Sequence, residues 1–226
     1  MKIITELSGG ADSALAFIEA QKKYAGAEFY SLFVDYGQRC AKEEEHASKF
    51  LHSRYQSLST WKKVEVRGLF ESALTQEKSG VDKVIDVLAG VYTPVRNIVL
   101  TGIALSWADA IGAERVITGS KGLVKVEGDP YSYKDSTVTF YKFMEAVINY
   151  ATESSRKYIV EAILAESRLS KLSKLDVYLK LWGEYGLDFQ DTFSCFLPLA
   201  RNTMFAIECG VCKNCVEKLN AFNQYK

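Results

Sequence analysis

The chain has 226 residues, 48% of them hydrophobic and 25% charged, with 28 Lys plus Arg balancing 28 Asp plus Glu. That length suits one large domain with a small appendage, and the balanced charge excludes a long-range field that would by itself draw nucleic acid or anionic lipid. No run of about 18 apolar residues suggests a membrane span, and the first residues lack the apolar stretch of a signal peptide. The expected compartment is therefore the cytoplasm, where the five cysteines should be reduced and clustered ones serve a metal rather than disulfides.

The first stretch organises the rest. Ile3, Ile4 and Leu7 supply a short buried strand, Gly9 and Gly10 break it, and 11–18 is helix-forming sequence. A strand, glycine turn and helix in that order leave backbone N–H groups pointing outward at the positive end of the helix, where an anion binds at low cost. Ser8 and Ser13 add hydroxyl donors, and Asp12 can cap the helix or hold a cation on a phosphate. A bare Gly-Gly pair would suit an ordinary capped turn equally well. The hexapeptide 8–13, SGGADS, is more specific, and it matches neither the Walker loop nor GxGxxG. It resembles the SGGxDS pyrophosphate loop of the N-type ATP pyrophosphatases, which split ATP between the α and β phosphates and adenylate a substrate.

Residues 28–35, EFYSLFVD, predict a second strand whose carboxyl end runs into Tyr36, Gly37, Gln38 and Arg39. In open α/β sheets ligands collect at that end of the strands. A helix over 43–51 carries Glu43, Glu44 and Glu45 in its first turn, and 63–66 reads as a short third strand. Residues 70–90 are poorly periodic and read as a surface segment. A turn at 92–97 precedes a helix over 98–111, with Pro94 keeping Thr93 extended and Asn97 suited to the N-cap. Arg96, just ahead of that helix, suits a phosphate or carboxylate, or equally a surface ion pair. A strand over 114–118 ends in Gly119 and Ser120. The polar stretch 121–139, with Tyr131, Tyr133 and Asp135, fits no regular element and reads as a binding loop. A helix over 140–152 places Phe140, Phe143, Met144, Val147 and Ile148 on one face, expected in the core. A strand over 158–163 and a helix over 173–185, closed by Gly186, complete the alternation.

Cys209, Cys212 and Cys215 stand at two-residue spacing, with Cys195 upstream. Four thiolates can close a tetrahedron around Zn²⁺ and leave no open position, so the metal is expected to be structural. An iron–sulfur cluster is the alternative. Cys40 reads as a small side chain, with a place in the site left open. His46 and His52 fall on a charged helix expected to face solvent and receive no chemistry.

Taken in order, SGGADS at 8–13, VDYGQR at 34–39 with Glu43 following, YTPVRN at 92–97, VITGS at 116–120, Lys174 in LSKLD, TFSC at 192–195 and CGVCKNC at 209–215 resemble the 7-cyano-7-deazaguanine synthase family nearly end to end. The resemblance implies a cytoplasmic, zinc-containing, ATP-dependent ligase, typically a homodimer, with Mg²⁺ on ATP. Such enzymes adenylate the carboxylate of 7-carboxy-7-deazaguanine, admit ammonia, and dehydrate the resulting amide to the nitrile. It implies catalytic roles for Asp12, Arg96 and Lys174 and nucleotide binding by Ser8, Gly9, Gly10, Asp12, Ser13, Asp35, Tyr36, Gln38, Arg39, Asn97 and Gly119. Cys195, Cys209, Cys212 and Cys215 are the implied zinc ligands.

The chain departs from the family pattern at Val95, where glycine is usual, at Arg168, where proline is usual, and over 127–140, which reads EGDPYSYKDSTVTF in place of DxSGYPDCRxxF. Three functions follow. The first is the nitrile-forming synthase. The second activates a deazaguanine carboxylate but stops at an amide or joins it to a protein or nucleic-acid amine. The third is a non-catalytic nucleotide-binding module, against which the intact loop, Arg96 and Lys174 speak. The expected architecture is a Rossmann-like α/β domain over 1–190, with a parallel sheet of about five strands and helices on both faces, closed by a four-cysteine zinc-binding segment over 191–226. The site is expected at the carboxyl edge of the sheet, between 8–13, 35–39, 93–97 and 121–139.

Overall fold

The computed structural model describes residues 1–55, 59–70, 72, 74–75, 93, 95–121, 133–165, 168–199 and 207–226. Most of the poorly periodic segment 70–90 and the stretch 122–132 of the expected binding loop, with Tyr131, lie outside the described residues.

Five parallel strands form one sheet: β1 (Lys2–Glu6), β2 (Glu28–Asp35), β3 (Trp61–Glu65), β4 (Arg115–Thr118) and β5 (Ile159–Ala162), in the order β3-β2-β1-β4-β5. Ile4 lies between Tyr30 and Val116 in this register. Parallel strands need crossovers, and α-helices supply them: α1 (Ala11–Lys23), α2 (Ala41–Tyr55), α3 (Arg96–Ile111) and α4 (Val138–Ala151). Two further helices, α5 (Lys174–Gly183) and α6 (Lys213–Tyr225), end the chain. The C-terminal helix carries no strong sequence signal and is a feature the sequence reading missed.

Alternation along β1 divides the core. Ile3 packs with Leu15, Phe17, Leu51, Tyr178, Leu181 and Ala221, on the side of α1, α2, α5 and α6. Ile4 packs with Ala104, Trp107, Tyr141, Met144 and Val160, on the side of α3 and α4. The winding therefore reverses between β1 and β4, and at such a switch point the loops diverge and leave a crevice at the carboxyl ends of the strands. The cysteine segment adds a small cluster in which Cys195, Cys212 and Cys215 are buried.

The structure corrects several local expectations. Phe143 and Val147 are exposed, at 67% and 59%, because the buried line of α4 runs through Tyr141 and Met144 instead. Asn97 is not the cap of α3. The N-cap is Val95, in the left-handed region at φ 42°, and Asn97 lies in the first turn. His52 is buried rather than solvated. Its Nδ1 lies 2.9 Å from Ser31 Oγ and its Nε2 3.2 Å from the Ser59 carbonyl; burial lowers its pKa, against the opposing pull of the Ser59 carbonyl.

Candidate active site

The loop between β1 and α1 is held by its own hydroxyls. Ser13 Oγ donates to the Gly10 carbonyl at 2.9 Å, and Ser8 and Ser13 hydroxyls lie 3.0 Å apart. Gly9 has φ +83°, and a Cβ there would stand 2.4 Å from the Glu44 carbonyl oxygen. Gly119, at the end of β4, is equally constrained, since its Cβ would meet the Ser13 Cα at 2.7 Å. The glycines thus let α2 and the β4 end close in on the start of α1. Gly10 and the first residues of α1, Ala11, Asp12 and Ser13, line the crevice, and a helix N-terminus is a natural anion seat.

Around this loop lies a cavity of about 370 Å³, lined by Ser8, Gly10, Asp12, Ser13, Tyr36, Gln38, Arg96, Asn97, Gly119 and Lys174 among others. That volume is typical of a small-molecule site. Lys174 Nζ, at the first residue of α5, lies 2.6 Å from Asp12 Oδ2, while Asp12 Oδ1 is buried without a partner among the described residues. Arg96 Nη1 donates to the Tyr36 hydroxyl at 3.0 Å, and its Nε is likewise buried and unpaired among the described residues. A carboxylate oxygen and a guanidinium N–H left idle beside a cavity are groups for a ligand to satisfy. Asn97 Nδ2 donates to the Asp135 carbonyl at 2.9 Å and Ser136 Oγ at 3.0 Å, tying α3 to the 3₁₀ turn Lys134–Ser136.

The cavity also holds groups the sequence reading did not single out as site residues: Glu6, Glu44, Ser120, Tyr141, Ser194 and Asn214. Burial pushes the Glu6 and Glu44 carboxyls each up to about 7. Cys40 is buried, and that burial, with Glu44 beside it, pushes its thiol well up; it is a poor candidate for a reactive thiolate. Glu44 reads from sequence only as a first-turn helix charge, and Glu6 belongs to no motif; a lone Glu at the apolar end of β1 was the available signal.

Not every expected site residue reaches the cavity. Asp35 is spent locally. Burial alone would raise its carboxyl, but hydrogen bonds from Arg67, the Gly37 amide and Lys63 hold it low. The Arg39 amide donates to the Leu74 carbonyl at 2.8 Å, and none of Gly9, Asp35 and Arg39 lines the cavity.

The Sγ atoms of Cys195, Cys209, Cys212 and Cys215 all lie within 4.8 Å of one another. Ligands at about 2.3 Å from a tetrahedral Zn²⁺ sit roughly 3.8 Å apart, and the Cys209–Cys215 separation is 3.9 Å. Backbone amides point at the sulfurs: Cys209 N–H at Cys195 (3.2 Å), Leu197 N–H at Cys195 (3.3 Å) and Cys212 N–H at Cys209 (3.3 Å). Such donors favour thiolates, the form a metal needs. This set is welded to the phosphate loop, because the Phe193 amide donates to the Gly9 carbonyl at 3.0 Å and Asn214 Nδ2 to the Ser194 carbonyl at 2.8 Å.

A doubly wound parallel sheet with a glycine–serine loop at its switch point, an Asp–Lys pair beside it and a set of four cysteines behind it defines a pyrophosphate-loop α/β enzyme fold. The chain belongs to the QueC family: the family model described as queuosine biosynthesis protein QueC matches residues 2–226. Similar curated proteins named 7-cyano-7-deazaguanine synthase include that of Methanococcus aeolicus, 29% identical over 99% of this chain and 95% of its own length. That of Chlorobium chlorochromatii is 31% identical over 99% and 92%. Among solved structures, the U34-tRNA thiolase NcsA of Methanococcus maripaludis is 13% identical with a TM-score of 0.36, over 97% of this chain and 80% of that one. No described helix is long and apolar enough to cross a membrane.

Proposed function

We propose that the protein activates the carboxylate of 7-carboxy-7-deazaguanine with ATP and, using ammonia, forms 7-cyano-7-deazaguanine. The observation that carries this reading is the Ser8 to Ser13 loop, with Asp12 Oδ1 unpaired among the described residues and the Lys174 contact, opening on the same cavity as Arg96. A carboxylate is a poor electrophile because its leaving group would be oxide. Transfer of AMP from ATP to the carboxylate oxygen releases pyrophosphate and turns that oxygen into part of an AMP leaving group. Ammonia then displaces AMP and loses a proton to give the amide; transfer of AMP from a further ATP to the amide oxygen lets the C–O bond break, and departure of that oxygen within AMP with loss of both N–H protons gives the nitrile.

In this reading the Gly10 amide and the hydroxyls of Ser8 and Ser13 receive the departing pyrophosphate. Lys174 and Arg96 neutralise charge on the phosphates or the attacked carboxylate. Mg²⁺, which fits the idle Asp12 Oδ1, would neutralise phosphate charge when bound. Cys195, Cys209, Cys212 and Cys215 hold Zn²⁺ as a closed structural set. A cytoplasmic homodimer completes the proposal.

The replaced 127–140 segment favours a second reading, in which the activated carboxylate passes to another amine and the product is an amide or conjugate. Mass spectrometry after incubation with ATP, Mg²⁺, ammonium and the acid separates them. Nitrile with AMP supports the first reading, and AMP with only adenylate or amide supports the second.

A further inference from the structure

Glu6 is the last residue of β1, on the face where Ile4 packs into the core with Leu105 and Trp107. An ionisable carboxyl at that place is costly unless something answers it. The hydroxyls of Thr101 and Thr118 face it, and Arg96 is the nearby positive charge. Even so, Glu6 Oε1 is buried with no partner among the described residues, as is Arg96 Nε. Both residues line the cavity, and so do Leu32, Val34, Leu100 and Tyr141. An apolar and aromatic lining together with an idle acceptor suits a planar heterocycle that presents N–H donors.

We propose that the Glu6 carboxylate reads the N–H edge of the nucleobase-type ring bound in this cavity. The inference rests on the nucleotide-and-deazapurine reading above and adds the residue that selects the ring. A carboxylate offers two parallel acceptors, the same fork that pairs with guanidinium. The ring N–H and adjacent amino group of a deazaguanine present two matching donors, and the 6-amino group of adenine presents one side of such a pair. Glu44 answers to different partners: Gln38 Nε2 donates to its Oε2 at 2.9 Å, and Cys40 lies beside it. Glu6 is therefore the acid with acceptor capacity to spare.

Titration calorimetry of the full-length protein and its E6Q variant tests this with two probes: the non-hydrolysable ATP analogue α,β-methylene-ATP with Mg²⁺, and 7-carboxy-7-deazaguanine. The amide of E6Q keeps the shape but turns a donor toward a donor, so one ring should bind about tenfold weaker or worse while the thermal midpoint is retained. Weakening confined to the acid assigns Glu6 to the deazaguanine; weakening confined to the ATP analogue assigns it to adenine. In parallel, a version of the affected ligand without its amino group should lose a similar factor on the wild type and little more on E6Q. The wild-type arm stands even where E6Q does not fold. Equal binding of both rings by wild type and E6Q, or amino-free ligands that bind the wild type undiminished, overturns the inference alone. A wild type that binds neither ring overturns the proposed function and this inference with it.

Discussion

Lys174 Nζ stands 2.6 Å from Asp12 Oδ2, joining residues 162 positions apart at the mouth of the phosphate loop. The pair is partly exposed, at 21% and 35% for the two side chains, so its contribution to stability is about 1 kcal/mol or less. In the proposed function its role is chemical. Asp12→Ala and Lys174→Ala should each lower AMP formation by about 10² to 10³-fold, with a thermal midpoint close to that of the wild type. Unchanged turnover in either variant contradicts the assignment of this loop.

Metal loss should be felt at a distance. Cys212 is fully buried, and the segment it anchors reaches Gly9 through the Phe193 amide. Cys212→Ser should release bound zinc, lower the melting temperature by about 10 °C or more, and weaken binding of the ATP analogue. Elemental analysis with parallel melting and titration checks all three. A wild type that carries no metal and is no less stable with a chelator contradicts the structural role.

Val95 holds φ 42° at the entrance to α3 and is 50% exposed. A β-branched residue in the left-handed region costs about 1–3 kcal/mol, and glycine carries no such cost. Val95→Gly should stabilise the fold by about 1 kcal/mol after its larger unfolded-state entropy is counted. A denaturant midpoint that falls instead would show that the Val95 side chain is held by contacts that outweigh the strain.

Burial lifts the Glu6 and Glu44 carboxyls from 4.5 to about 7. Groups whose folded pKa is raised contribute stability that is full below the unfolded value and lost as pH rises through the folded one. Ligand-free stability should therefore fall between pH 4.5 and about 7 on their account. Around Glu44 the facing groups are Gln38, Cys40, Arg96 and Glu43. Glu44→Gln should flatten the slope, as chemical denaturation at about pH 5, 6 and 7 would reveal; an unchanged slope removes Glu44 from the account.

Much of this was legible before any coordinates. The strand–glycine–helix order at 2–18 announced the loop, the alternation of strands and helices announced a parallel sheet, and the spacing of four cysteines announced a cluster able to hold a metal, because each is a local pattern with one dominant physical cause. What escaped depended on tertiary context. The exposed Phe143 and Val147 satisfy helical periodicity as well as buried residues would, so periodicity alone could not tell which edge of the stripe faced β5. His52 is buried by Ser31 on a neighbouring strand, a contact 21 residues distant. Asn97 suited a cap by type, yet the chain caps at Val95 and uses the Asn97 amide to hold Asp135 and Ser136.

The most direct test of the central claim is product mass spectrometry of the purified protein with ATP, Mg²⁺, ammonium and 7-carboxy-7-deazaguanine. The account predicts AMP together with the nitrile. Absence of AMP under conditions where the protein is folded and metal-loaded would contradict it.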